Sequence, residues 1–157
     1  MLPIHTILHP TDFSEHSQFA WRLACALARD YGARLVVVHV IDLPVAVYGE
    51  GVMVSEPEDY QAVEEELDRM HAPDPNVRVE HRVLEGDPVE EILVAARQAH
   101  AELIVMGTHG RTGLERLLMG SVAEQVVRRS TCPVLTVRTP FPEAAPAGEL
   151  AAAAAHA

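Results

Sequence analysis

Lysine is absent from this sequence: all 12 basic side chains are arginine. Chemistry that turns on a lysine is thereby excluded, including the GxxxxGK(S/T) phosphate loop, the protein-kinase active site and the Schiff-base nucleophile. Cysteine is scarce as well. Cys25 and Cys132 stand far apart and form no CxxC pair or metal-ligand spacing, so no disulfide framework is expected, and two free thiols suit a reducing cytosol. Positive charge is outnumbered, with 12 basic against 23 acidic side chains and a net charge of −11. That balance argues against a nucleic-acid partner, whose phosphate backbone calls for clustered cations. No apolar run approaches the ~20 residues that cross a bilayer, and the N-terminal stretch shows no export signal. A soluble, cytoplasmic protein without membrane insertion is the expectation.

What is present suits one domain. The 157 residues allow roughly 70% of the unfolded surface to be buried around one core. His5 to His9 reads as a short strand broken by Pro10, and Ser14 can cap a helix running to Tyr31, where Gly32 stops it. Phe19, Ala20, Leu23, Ala24, Leu27 and Ala28 recur along it at three- and four-residue spacing. Leu35 to Ile41 is a nearly unbroken β-branched run that suits a strand covered on both faces. Residues 42–57 carry Pro44, Gly49, Gly51 and Pro57 without periodicity and read as a long loop.

A helix is expected from there to about His71, with Glu64, Glu65 and Glu66 on its solvated face. Val77 to Leu84 alternates as a half-exposed edge strand does, and Asp87-Pro88 opens a helix ending near His100. Leu103 to Met106 is a short strand, Ser121 to Arg129 the last helix and Val134 to Val137 the last strand. Alternating strands and helices predict a doubly wound α/β domain with a five-stranded, mainly parallel sheet of order 3-2-1-4-5 and helices on both faces, Rossmann-like in plan. It should occupy residues 1–138, and 139–157, rich in Pro and Ala, should form a flexible tail.

In such a sheet the ligand crevice opens at the carboxyl ends of the strands where the winding reverses. Two unusual loops fall there. The first carries Thr11 and Asp12. The second carries Gly107-Thr108-His109-Gly110, with Gly120-Ser121 at a helix start after nine intervening residues. Glycines three apart let backbone amides approach a phosphate, and a helix start adds unpaired N–H groups and a positive dipole end. The same glycines also suit an ordinary strand-to-helix turn. Asp12 could accept a ribose hydroxyl, help hold a metal, or cap a helix. His109 has no orienting partner visible in sequence, which favours binding over general-base catalysis. His5 and His9 share a strand face without a third ligand of suitable spacing, so no structural metal is expected.

The pattern Gly107-x2-Gly110-x9-Gly120-Ser121 resembles the nucleotide signature of the universal stress protein family, in its ATP-binding, glycine-motif branch. HPTDFSE near the start, VVVHVID on the second strand and GTHGRTGLERLLMGSVAEQVVRRSTCPVLTVR extend the resemblance from residue 4 to about 138. The resemblance implies an ATP site with Pro10, Thr11 and Asp12 on the adenosine side and the Val40 backbone reading the adenine. It further implies Met106, Gly107, His109, Gly110, Gly120, Ser121 and Val122 around the triphosphate, with Mg²⁺ or Mn²⁺ neutralising its charge. Arg111 is a further candidate that suits an exposed surface position equally.

A nucleotide-responsive regulatory module in stress response is the function this implies, together with a protein partner the sequence does not identify. The alternative is a slow ATP hydrolase or another adenine-nucleotide enzyme on the same fold. Adenylyltransferases and ATP pyrophosphatases usually carry HxGH or SGGxDS after the first strand, and HPTDFS is neither. The last strand lies at a sheet edge in the 3-2-1-4-5 order, and a homodimer is expected through Val134 to Val137.

Overall fold

The computed structural model describes residues 2–42, 59–109 and 119–138, together with the backbone of two strands at 45–48 and 51–54. Gly110, Arg111 and the tail from 139 onward lie outside the described residues. The first βαβ unit comprises β1 (Thr6–Pro10), α1 (Glu15–Tyr31) and β2 (Arg34–Ile41). Ser14 caps α1 by accepting the Ser17 N–H, and Gly32 ends it in the left-handed conformation at φ 65°. The α1 residues buried against the sheet are small, namely Ser17, Ala20, Ala24, Cys25 and Ala28. Phe19, Leu23 and Leu27 flank that stripe, half-buried. A stripe of small side chains lets a helix axis approach a sheet closely, which matters at the site described below.

Residues 42–57, expected to be a loop, contain an antiparallel pair, β3 (Val45–Tyr48) and β4 (Gly51–Val54), in a small sheet of its own. Each strand is four residues long, too short for alternation to register among the surrounding glycines and prolines, and the pairing of Val45 with Val54 is visible only in three dimensions. The following helix, α2 (Tyr60–Asp68), ends three residues short of His71, with the Met70 N–H turning back onto the Leu67 carbonyl.

The remaining elements are β5 (Val79–Glu85), α3 (Pro88–Gln98), β6 (Leu103–Gly107), α4 (Ser121–Arg129) and β7 (Val134–Val137). The main sheet runs β5-β2-β1-β6-β7, the 3-2-1-4-5 order, and every neighbouring pair is parallel. Along the central strands successive side chains enter opposite layers. Ile7, Leu35, Val37 and Val105 join the α1 and α2 layer. Leu8, Val36, Val38 and Ile104 join the layer of α3 and α4. Both faces are thus covered, the physical reason these strands read as unbroken apolar runs. Burial pushes the Cys25 thiol up to about 12, which leaves it inert as a nucleophile. Among the described residues no helix is long and apolar enough to cross a membrane.

Candidate functional site

The sheet opens at its centre. β1 pairs with β6 only at Ile7↔Leu103 and Leu8↔Ile104. Yet β1 continues beside β2 to Pro10↔Val38, and β6 beside β7 to Gly107↔Val137. Beyond Leu8 the two middle strands part, and a cleft of about 350 Å³ lies at their carboxyl ends. Pro10, expected to break its strand, instead ends β1 as its last residue.

Ten of the expected site residues fall among the described ones, and all ten line this cleft: Pro10, Thr11, Asp12, Val40, Met106, Gly107, His109, Gly120, Ser121 and Val122. The two loops named from sequence therefore converge. Reasoning from sequence missed Ser17, His39, Asp42 and Thr108, which also line the cleft, along with the apolar Val38, Pro88, Ile92 and Ala123. Val38, His39, Asp42, Thr108 and Ala123 stood within the stretches that carry the resemblance without being named for the site. Ser17 comes from α1, and Pro88 and Ile92 from α3.

The loop after β1 is held rigidly. Thr11 Oγ1 accepts the Phe13 N–H at 3.1 Å and the buried Ser17 hydroxyl at 2.7 Å. His39 Nδ1 donates to the Thr11 carbonyl at 2.8 Å, and the His39 ring stacks on Phe13 with centroids 4.7 Å apart. Phe13 sits at φ 61°, a left-handed conformation uncommon for a bulky side chain. These bonds offset its strain. Asp12 does not cap α1, a role Ser14 takes; its Oδ1 accepts the Ser14 N–H at 3.0 Å in a local turn.

On the opposite wall the Gly120 N–H donates to the Thr108 carbonyl at 2.6 Å, bringing together residues on either side of positions 110–118. Side chains cap α1, α2 and α3, whereas α4 begins at Gly120 without one. Ser121, Val122 and Ala123, which carry its first N–H groups, all line the cleft. An uncapped helix start facing a cleft suits an anion. His109 does have an orienting partner: its Nδ1 lies 3.0 Å from the Thr108 hydroxyl, with both residues buried. Its ring lies 5.2 Å from that of His16 on α1.

Gly107 has a second reason to be glycine. A Cβ there would stand 2.8 Å from the carbonyl carbon of His16 and 3.0 Å from the Ser17 nitrogen. The close approach of α1 to β6 thus demands glycine whatever the cleft contains. His5 and His9 serve separate ends of the strand. His5 engages the Glu102 carboxylate through its ring and backbone, and His9 lies wholly buried beneath the cleft with Nδ1 on the Val105 carbonyl at 2.8 Å.

Similar proteins agree with this architecture. A universal stress protein of Methanocaldococcus jannaschii is 39% identical over 143 residues, spanning 87% of this chain and 84% of its own. Another protein of that organism, also described as a universal stress protein, superposes with a TM-score of 0.70 at 28% identity, over 90% of this chain and 100% of its own. A universal stress protein solved in complex with cAMP has a TM-score of 0.65 at 27% identity, over 87% of this chain and 98% of its own. The universal stress protein family model matches residues 3–138, and with it this chain belongs to the universal stress protein family.

Proposed function

We propose that the cleft binds an adenine nucleotide, ATP together with Mg²⁺ or Mn²⁺, and that the protein is a cytoplasmic regulatory module in stress response whose shape or partner choice follows occupancy. The observation that carries this reading is the uncapped start of α4 at Gly120, with Ser121, Val122 and Ala123 on the cleft wall opposite Thr11 and Asp12. Backbone N–H groups at a helix start hold phosphate without any lysine. Asp12 and Asp42, both on the cleft, supply the carboxylate chemistry that a divalent cation prefers. The Val40 backbone and the apolar Val38 and Ile92 suit a purine. Gly110 and Arg111 belong to the proposed phosphate side by their place in the motif. The cAMP complex of a related protein supports an adenine ligand.

Mass spectrometry of ligand released from freshly purified protein, followed by calorimetry with MgATP, tests the reading. At a hundredfold excess over Kd a single site adds about 2.7 kcal/mol, a rise in unfolding midpoint of roughly 5–10 °C. No released nucleotide and no shift with any adenine nucleotide would overturn it.

The Thr108 hydroxyl beside His109 favours a second reading, slow ATP hydrolysis with His109 as the proton acceptor. Turnover that persists unchanged in His109→Gln would remove it, since glutamine retains polarity without a titratable nitrogen.

A further inference from the structure

The hydrogen bond between His9 and Val105 replaces a missing rung of the sheet. Ile104 N–H donates to Pro133 and Thr108 N–H to Val137, so the backbone groups of Val105, offset by one residue, face β1. Arg34 N–H donates to His5, and Thr11 N–H to Val38, so the groups of Leu8 and Pro10 face β6. In the register Leu8↔Ile104 the next rung would be an N–H of residue 10 onto the Val105 carbonyl. Proline has no N–H to give. The pairing of β1 with β6 stops there, and the Val105 carbonyl is met by a side chain, His9 Nδ1, at 2.8 Å.

The imidazole is held for that one bond. Its partner is a carbonyl, so Nδ1 carries the proton. Nε2 is buried without a hydrogen-bond partner among the described residues. The ring is wholly enclosed and rests against Trp21 of α1, with centroids 5.6 Å apart. On the far side of β1, His39 Nδ1 meets the Thr11 carbonyl in the same manner.

We propose that His9 is a positioning residue of the cleft: its imidazole supplies the hydrogen bond that Pro10 withholds from Val105, and so sets the separation of the two strands whose loops form the cleft walls. Thr11 and Asp12 follow His9 by two and three residues, and Met106 and Gly107 follow Val105 directly. A strut between residues 9 and 105 therefore fixes both walls one step beneath the ligand. Its consequence for affinity rests on the nucleotide reading, whereas its consequence for the strands does not.

Three variants test it in the full chain: His9→Phe, which keeps a ring and loses the donor; His9→Asn, whose amide nitrogen replaces Nδ1; and His9→Gln, one methylene too long to do so. MgATP affinity is measured by calorimetry, and amide hydrogen exchange at Met106 and Gly107 is followed without nucleotide. His9→Phe and His9→Gln should weaken binding about tenfold, the size of one hydrogen bond, and speed exchange at both amides, while His9→Asn restores both readouts. The Asn and Gln pair decides the matter if the Phe variant does not fold. Parent-like affinity and exchange in His9→Gln, or failure of His9→Asn to rescue, would overturn the proposal. A parent protein that binds no adenine nucleotide removes the nucleotide reading, and the exchange comparison then decides the role of His9 by itself.

Discussion

The Cβ that Gly107 lacks would lie 2.8 Å from the carbonyl carbon of His16. Backbone cannot yield as a side chain end can, so Gly107→Ala must push α1 away from β6. A loss of about 1–3 kcal/mol is expected, the usual cost of overpacking. It should appear in urea unfolding without any nucleotide. An unfolding midpoint equal to the parent's would show that α1 is not held as closely as described.

Thr11→Val removes the hydroxyl that accepts from the Phe13 N–H and the buried Ser17 hydroxyl. Both donors lose their partner within a nearly isosteric side chain. The stability loss should be about 1–3 kcal/mol, the desolvation cost of an unsatisfied buried donor. Because Phe13 at φ 61° depends on that network, nucleotide affinity should fall along with stability. Retained stability together with undiminished affinity would remove the network as the loop's support.

Acid should destabilise the protein in two windows. Burial pushes the His9 imidazole down to about 4 from 6.5, against the pull of the Val105 carbonyl and Asp12. The unfolded chain therefore takes up a proton that the folded protein refuses, so this contribution is complete above pH 6.5 and lost as pH falls toward 4. The total is about 3 kcal/mol. Hydrogen bonds from the His5 ring, the His5 backbone and the Thr6 backbone hold the Glu102 carboxyl down to about 2 from 4.5. Its contribution is present above pH 4.5 and lost as pH falls toward 2. Urea unfolding across both windows checks this. His9→Phe should flatten the upper window alone, and Glu102→Gln the lower one alone; a steep upper window surviving in His9→Phe would assign the proton elsewhere.

Assembly is the fourth expectation. β7 is an edge strand, paired with β6 on one side, and Leu135 on it is 38% exposed. A homodimer through Val134–Val137 would give a mass of about 34 kDa by light scattering, twice the 17.1 kDa chain. The backbone groups of residues 133 and 137, and by alternation 135, face β6, so Thr136→Pro removes one donor from the free edge and should return the mass to the monomer value. A full-length monomer that dimerises only after truncation at Thr139 would show instead that the tail covers the edge.

The order of elements was legible because its signals are local. Ser14 and Gly32 bound α1, Asp87-Pro88 opens α3, and the β-branched run at 35–41 announces a strand covered on both faces. From that alternation a parallel sheet follows, and with it a crevice where the loops after β1 and β6 meet, which is why residues as distant as Thr11 and Ser121 could be named for one cleft. What depended on tertiary contact was invisible in sequence. The pairing of β3 with β4 depends on each strand's partner, not on either short strand by itself. His39 and Ser17 reach the cleft from another strand and a helix face. Gly107 read as a phosphate glycine, but its required smallness comes from His16, on a helix that precedes it by some ninety residues. His9 read as a strand histidine, and its task is defined by what its neighbour Pro10 lacks and by the Val105 carbonyl across the opening. Local sequence determines where a chain turns and which faces are apolar, whereas the approach of backbones remote in sequence decides which atoms are left to be satisfied, and that decision belongs to the fold as a whole.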